Sequence, residues 1–355
     1  MRDRNELVFP ALVLLLGITA LGSICSLLWW FTIGSGALSG NRRLSNSPTI
    51  QPSGTPAKKI WKSHTAAVLS VVQSPDAEFI ASGSYDQTVK LWNRQSGKIQ
   101  RTLNHSGRVN SIVFNDNGQQ LVTGSGDGKI HLWELSTGNK IAELGGGHGR
   151  IVSLALSPDN RTLASGSSNG TIQLWNIESR NLIETLVDKG PQVNSLAFSS
   201  GGTPQLISGD QDGNLKHWRM NPPELVQTIQ TSDNRLAAVA ITPTGHQFAT
   251  AGHSGTIQLW DALTGDLTSE LIGHGFVVSS LAFTADQKTL ISGSYDETVR
   301  TWDWRQRKNL CTLEEHSGFV YSVAVDDDIN TLVSGSYDGN IRVWDLEKQA
   351  TCLVQ

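Results

Sequence analysis

Cysteine is scarce in this chain: Cys25, Cys311 and Cys352 are the three in 355 residues. An odd set at unrelated spacings makes neither a disulfide framework nor a zinc pattern. A chain without disulfides is compatible with a reducing compartment. Charge is also sparse. Asp, Glu, Lys and Arg together supply 17% of the residues and the formal net charge is -4, so the basic surplus that accompanies nucleic-acid binding is missing and no such partner is expected. Also absent are G-x-S-x-G, H-E-x-x-H and a phosphate-binding loop, which removes the common hydrolase, metalloprotease and nucleotide signatures. What is abundant is glycine, at 35, with 11 tryptophans. That pair points to a turn-dense β protein and to a search for repeats.

The first long feature is apolar. No charged residue occurs from Leu7 to Leu38, and the densest part runs from Phe9 to Ile33. A helix needs about 20 apolar residues to cross the hydrocarbon core, so residues 1–38 read as an N-terminal membrane anchor, with Trp29, Trp30 and Phe31 at interfacial depth. The alternative is a cleaved signal peptide, whose apolar region is shorter, about 7–15 residues. Ala37-Leu38-Ser39 leaves cleavage before Gly40 open, whereas Ile24 before Cys25 makes a poor lipoprotein signal. Arg2 and Arg4 before the segment balance Arg42 and Arg43 after it, so the side of the membrane facing the rest of the chain is undetermined. Asn104, Asn160 and Asn169 head N-x-Ser/Thr triplets that matter only in a eukaryotic secretory route. Residues 39–57 are dominated by Pro, Ser and Gly and read as a flexible linker, about 25 Å r.m.s. if treated as a coil.

From Lys58 onward one pattern recurs seven times. Its marker is Trp92, Trp133, Trp175, Trp218, Trp260, Trp302 and Trp344, spaced by 41, 42, 43, 42, 42 and 42 residues. Six residues before each stands a turn residue, Asp86, Asp127, Asn169, Asp212, Ser254, Asp296 or Asp338, and four before that Ser82, Thr123, Ser165, Ser208, Thr250, Ser292 or Ser334. Each unit reads as four short strands separated by Gly, Asn and Asp turns. A unit this small buries both faces only by stacking on neighbours around an axis.

On these residues the chain resembles the WD-repeat family, whose period is about 40–45 with Gly-His early and Trp-Asp late. Trp260-Asp261, Trp302-Asp303 and Trp344-Asp345 keep the dipeptide; Trp92-Asn93, Trp133-Glu134, Trp175-Asn176 and Trp218-Arg219 relax it. The early histidines are His64, His105, His148, His274 and His316. The resemblance implies an all-β fold, a seven-bladed propeller of four-stranded antiparallel blades over residues 58–355; the apolar run adds one transmembrane helix before it. It further implies hydrogen-bonded chains inside the blades, with complete sets in His64, Ser82, Asp86 and Trp92; His105, Thr123, Asp127 and Trp133; His274, Ser292, Asp296 and Trp302; and His316, Ser334, Asp338 and Trp344. The fifth unit lacks both histidine and aspartate, so its blade is expected to be the most loosely held. By the same resemblance the outer strand of the last blade comes from Lys58–Lys62, with the tail from Ala350 to Gln355 competing for that edge.

No catalytic constellation emerges. The histidines and turn aspartates recur once per unit and so lie around a wide ring, whereas a catalytic site needs converging groups. No metal site and no cofactor is expected. In a propeller the histidine loop and the aspartate turn emerge on one end, the top. Aligning the repeats places there all four tyrosines, Tyr85, Tyr295, Tyr321 and Tyr337, with Phe276 and Phe319, on blades six, seven and one. Arg108, Arg150 and Arg235 fall on blades two, three and five. Tyrosine and arginine are frequent hot spots, so the expected partner-binding set is an aromatic patch with a basic opposite rim, matched by apolar or aromatic groups beside acidic ones. The competing assignment of the turn tyrosines is packing on their own blades. The expected function is a non-catalytic protein-interaction scaffold held at a membrane. The alternatives are a small-ligand or ion sensor using the central channel, and a propeller hydrolase or lyase. The channel-side residues Leu69, Asn110, Val152, Asn194, Ala237, Ser279 and Tyr321 disfavour the sensor, and the constant spacing leaves no insertion to house an enzyme site.

Overall fold

A computed structural model of the protein describes residues 59–346, apart from 63, 146–148, 188 and 327–330. The anchor, the linker, His148, Lys58 and the C-terminal tail lie outside the described residues. Among the described residues no helix is long and apolar enough to cross a membrane.

The short strands pair locally because each is bounded by a turn residue that only bends, never extends. Blade one is Val68–Gln73, Phe79–Ser84, Thr88–Asn93 and Ile99–Asn104, in that order from the axis outward. Five more blades repeat this antiparallel meander. The seventh takes Val320–Val325, Thr331–Ser336 and Asn340–Asp345 from the C-terminal part and closes with Lys59–Lys62, which pairs from Lys59 with Val343 to Lys62 with Asn340. The ring is therefore closed by the N-terminal side. Trp61 seals it: buried, it stacks on Trp92 of blade one with ring centroids 5.4 Å apart.

Blades meet through one recurring device. Every innermost strand carries a bulge, the register slipping between Val68 and Ser70 in blade one and at the equivalent place in the others. A bulge re-aims a side chain, and the seven skipped residues are the channel-side positions read from the sequence; all line the central cavity. The serine after the bulge accepts a hydrogen bond from a backbone N–H of the next blade. These bonds are Ile112 to Ser70 at 3.2 Å, Leu154 to Ser111 and Leu196 to Ser153 at 3.0 Å, and Val239 to Ser195, Val323 to Ser280 and Val71 to Ser322 at 3.1 Å. Glycine in the second strand lets the neighbour close in. A Cβ on Gly83 or Gly166 would lie 2.8 or 2.6 Å from a valine methyl of the next blade. Blade five departs from both rules, with Ala238 and Ala251 in place of the serine and glycine.

Cysteine is where the composition misleads. Cys311, buried on the outer strand of blade six, is disulfide-bonded, and its partner lies outside the described residues. Scarcity and irregular spacing exclude a framework of disulfides, not a single staple.

The serine belt makes a paired prediction. Ser195→Ala strips the acceptor from Val239 and should cost about 1–3 kcal/mol, whereas Ala238→Ser supplies the seam between blades five and six with an acceptor and should add about 1 kcal/mol. Urea unfolding of the two variants measures both signs.

Candidate interaction face

The turn between the second and third strands meets the loop leading into the first strand at one end of every blade. A backbone bond joins them each time: Tyr85 N–H to Ala67 O at 2.9 Å, Gly126 to Arg108 at 2.8 Å, Ser168 to Arg150 at 2.9 Å, Gln211 to Gln192 at 2.8 Å, His253 to Arg235 at 3.3 Å, Tyr295 to Val277 at 2.9 Å and Tyr337 to Phe319 at 2.8 Å. The two aligned columns of residues are thus physical neighbours, and their side chains share one face.

Beneath that face the buried chains differ between blades. In blade one Trp92 Nε1–H donates to Ser82 at 3.0 Å, the Ser82 hydroxyl meets His64 Nε2 at 2.8 Å, and His64 Nδ1 meets Asp86 at 2.9 Å. Blade six repeats this at 2.8, 2.7 and 2.7 Å, and blade seven at 3.0, 2.7 and 2.9 Å. Burial, the first cause, pushes all three histidines below their ordinary pKa, so the imidazoles are neutral. Burial pushes the other way on the aspartates, but hydrogen bonds and the histidine hold Asp86, Asp296 and Asp338 below theirs. These carboxylates are therefore committed to the fold.

Blade two does not form its expected chain. His105 reaches Thr123 at 2.8 Å, but its Nδ1 and the Asp127 Oδ2 have no hydrogen-bond partner. His131, on the third strand, packs edge-on against His105 with centroids 5.0 Å apart and brings its Nε2 to 3.5 Å from Asp127. The ring occupies the place of the direct contact. Burial, with His131 second, pushes His105 down to about 4.

Blade five is also corrected, in the opposite direction. Its network is rebuilt, not lost. Buried Asp233, beside the usual histidine position, accepts from His253 N–H at 3.2 Å and from Ser254 N–H and Oγ–H at 3.1 and 2.9 Å. Trp260 still donates to Thr250 at 2.9 Å. Gly252 makes the space, since a Cβ there would stand 1.9 Å from Arg235 O and 2.9 Å from the Asp233 carboxylate. Blade four, which lacks the histidine, uses buried Asp210 to cap the Asp212 and Asn214 amides at 3.0 and 2.9 Å. Asp233 and Asp210 are both missed by matching to the repeat. The signal for them is a paired departure from it, Gly252 with Asp233 and Asp210 where other units have serine.

On the surface four of the six aromatic residues converge. Tyr295 of blade six stacks on Phe319 of blade seven, with centroids 4.7 Å apart and planes at 13°, and meets Tyr321 edge-on at 5.4 Å. Phe319 continues to Tyr337 at 5.9 Å. Phe319, Tyr85, Phe276 and Tyr337 are 41, 49, 56 and 62% exposed, so they do not simply pack on their own blades. Phe276 and Tyr85 stand outside the stacked group. Burial, then Tyr295 and Tyr337, pushes the Tyr321 hydroxyl up to about 12, and burial raises Tyr295, so both remain protonated.

Of the three arginines, Arg108 does not stand apart from the aromatic residues. Arg108 leans across the blade boundary and sets its guanidinium 5.5 Å over the Tyr85 ring. Gly126 permits this, because a Cβ there would press within 3.0 Å of the Arg108 stem. Arg150 and Arg235 make no contact with the aromatic group among the described residues. The cavity at the axis, about 410 Å³, is lined by Leu69, Asn110, Val152, Asn194, Ala237, Ser279, Tyr321 and the strand residues below them, none of them Asp, Glu, Lys, Arg or His. Among the described residues no group of three His, Cys, Asp or Glu is arranged to hold a metal ion.

Residues 52–278 match the family model described as the IFT122 first beta-propeller, and residues 265–303 and 307–345 match the WD domain, G-beta repeat. Individual relatives match locally. A small ribosomal subunit protein RACK1y of Oryza sativa subsp. japonica is 30% identical over 84 residues, 24% of this chain and 25% of that one. A ribosome biogenesis protein BOP1 homolog of Drosophila virilis is 38% identical over 61 residues, 17% and 8% of the respective chains. A sterol regulatory element-binding protein cleavage-activating protein of Xenopus laevis is 35% identical over 81 residues, 23% and 6%. The chain thus spans a quarter or less of the length of these relatives.

Blade five yields the test of its rebuilt network. In the intact protein the His253 and Ser254 amides should exchange with solvent as slowly as the equivalent turn amides of blades one and six. Asp233→Ala should speed their exchange and destabilise the fold by about 1–3 kcal/mol. Fast exchange at both amides before mutation would contradict the assignment.

Proposed function

This chain belongs to the WD-repeat β-propeller family, and we propose that it is an interaction scaffold, tethered to a membrane by residues 1–38, that receives protein partners on the top face around Tyr295, Phe319, Tyr321 and Tyr337. Propellers of this kind are non-enzymatic, and the chain is not an enzyme. The observation that carries the reading is the stacked, half-exposed aromatic group, since such rings supply rigid contact area at low entropic cost and concentrate binding energy. The uncharged channel lining supplies no charged or metal-binding groups for the sensor reading.

In the closing strand Lys62 pairs with Asn340, which follows the top turn, while Lys59 pairs with Val343, so Lys59 is the end of that strand farther from the aromatic face. The Cys311 disulfide supports a propeller on the oxidising, non-cytosolic side, where such bonds persist.

Two measurements test these points. Intact protein and the triple variant Phe319→Ala, Tyr321→Ala, Tyr337→Ala, checked for folding by circular dichroism, are compared in pull-downs from solubilised membranes. Partners should be captured by the first and lost by the second; capture of the same partners by both moves the site elsewhere. Maleimide labelling of protein denatured straight from its membrane should leave Cys311 unmodified until reductant is added. Modification without reductant places the propeller on a reducing side.

A further inference from the structure

On blades one, six and seven the turn aspartates are committed to the fold. Asp86, Asp296 and Asp338 are held by histidine, and Asp338 also by Arg342 at 2.8 Å. Two other arginines pair with carboxylates away from this face, Arg94 with Asp326 at 2.6 Å and Arg219 with Glu224 at 3.2 Å. Arg108 pairs with no carboxylate among the described residues, and its Nε is buried without a hydrogen-bond partner. A desolvated donor without an acceptor is costly, and this one lies against Tyr85 and close enough to Tyr321 to act on its hydroxyl. A cation thus stands over the exposed Tyr85 ring of blade one and within electrostatic reach of Tyr321 of blade seven.

We propose that this corner of the top face binds an acidic linear peptide, with an Asp or Glu carboxylate on the Arg108 guanidinium and a neighbouring apolar or aromatic side chain against Phe319 and Tyr337. The proposal rests on the top-face reading and names its ligand. A guanidinium matches a carboxylate in a two-point fork. One guanidinium set over the Tyr85 ring balances a single negative charge, so a carboxylate fits better than a phosphate dianion. The rings supply the contact area that a lone exposed ion pair would lack.

The probes are three pools of fluorescein-labelled seven-residue peptides alternating leucine or phenylalanine with glutamate, with glutamine, or with phosphoserine. They are titrated into the full chain in detergent and followed by anisotropy. The glutamate pool should bind about tenfold more tightly than the glutamine pool, and the preference should shrink as salt rises. Arg108→Gln, with an unchanged thermal midpoint, should erase the preference. Phe319→Ala with Tyr337→Ala should weaken every pool. Loss of binding in that double variant without any glutamate preference in the intact protein overturns the acidic ligand and leaves the top face standing. Binding that survives the double variant overturns both. A tighter phosphoserine pool, or no binding by any pool, overturns the acidic-peptide assignment.

Discussion

A hydrogen bond from a backbone N–H of one blade to a serine hydroxyl of the blade before it sets how neighbouring blades tilt. The bond exists because the innermost strand bulges, and the bulge does two things at once. It offers the serine to the next blade and turns the preceding residue toward the axis. Blade spacing and the lining of the channel therefore share one geometric device, a bulge made seven times and backed by a serine bond at six of the seven seams. Ser322 closes the circuit by accepting from Val71, so the first and last blades are joined by the same rule as any other pair.

The top face follows from this frame. Each turn is tied to its loop by a backbone bond, so the residues displayed there are held by main chain and are free to vary. On blades one, six and seven the buried chain below takes up the turn aspartate, which is turned in to meet a neutral histidine. Outside them stand the stacked aromatic group and, beside Tyr85, the guanidinium of Arg108.

The period of the tryptophans was enough to read the architecture, since a unit of about 42 residues with four turn-bounded strands has few ways to bury itself. The residues of the face were legible for a related reason: alignment alone assigns the ends of the blades. What a repeat hides is its own exceptions. Asp233 and Gly252 compensate each other in three dimensions, and neither is informative until the missing histidine is seen to leave a space. Arg108 was assigned to its blade, but its approach to Tyr85 was not legible, because the reach of a long side chain depends on whether a neighbour such as Gly126 leaves room. His131 likewise breaks the blade-two chain from a strand position that the repeat leaves variable.

The closing strand also sets how the propeller bears load. Lys59–Lys62 runs from the bottom toward the top, so a pull on Lys59 away from a load on the upper face would act along the strand. Tension along that line would shear the ladder, so its four rungs and the Trp61–Trp92 stack would resist together instead of parting one by one. The same tension would act on the one seam where the ring is closed by sequence-distant strands. The first blade to yield would be the seventh, whose Phe319, Tyr321 and Tyr337 carry most of the aromatic face, so mechanical opening and release of a partner would be a single event.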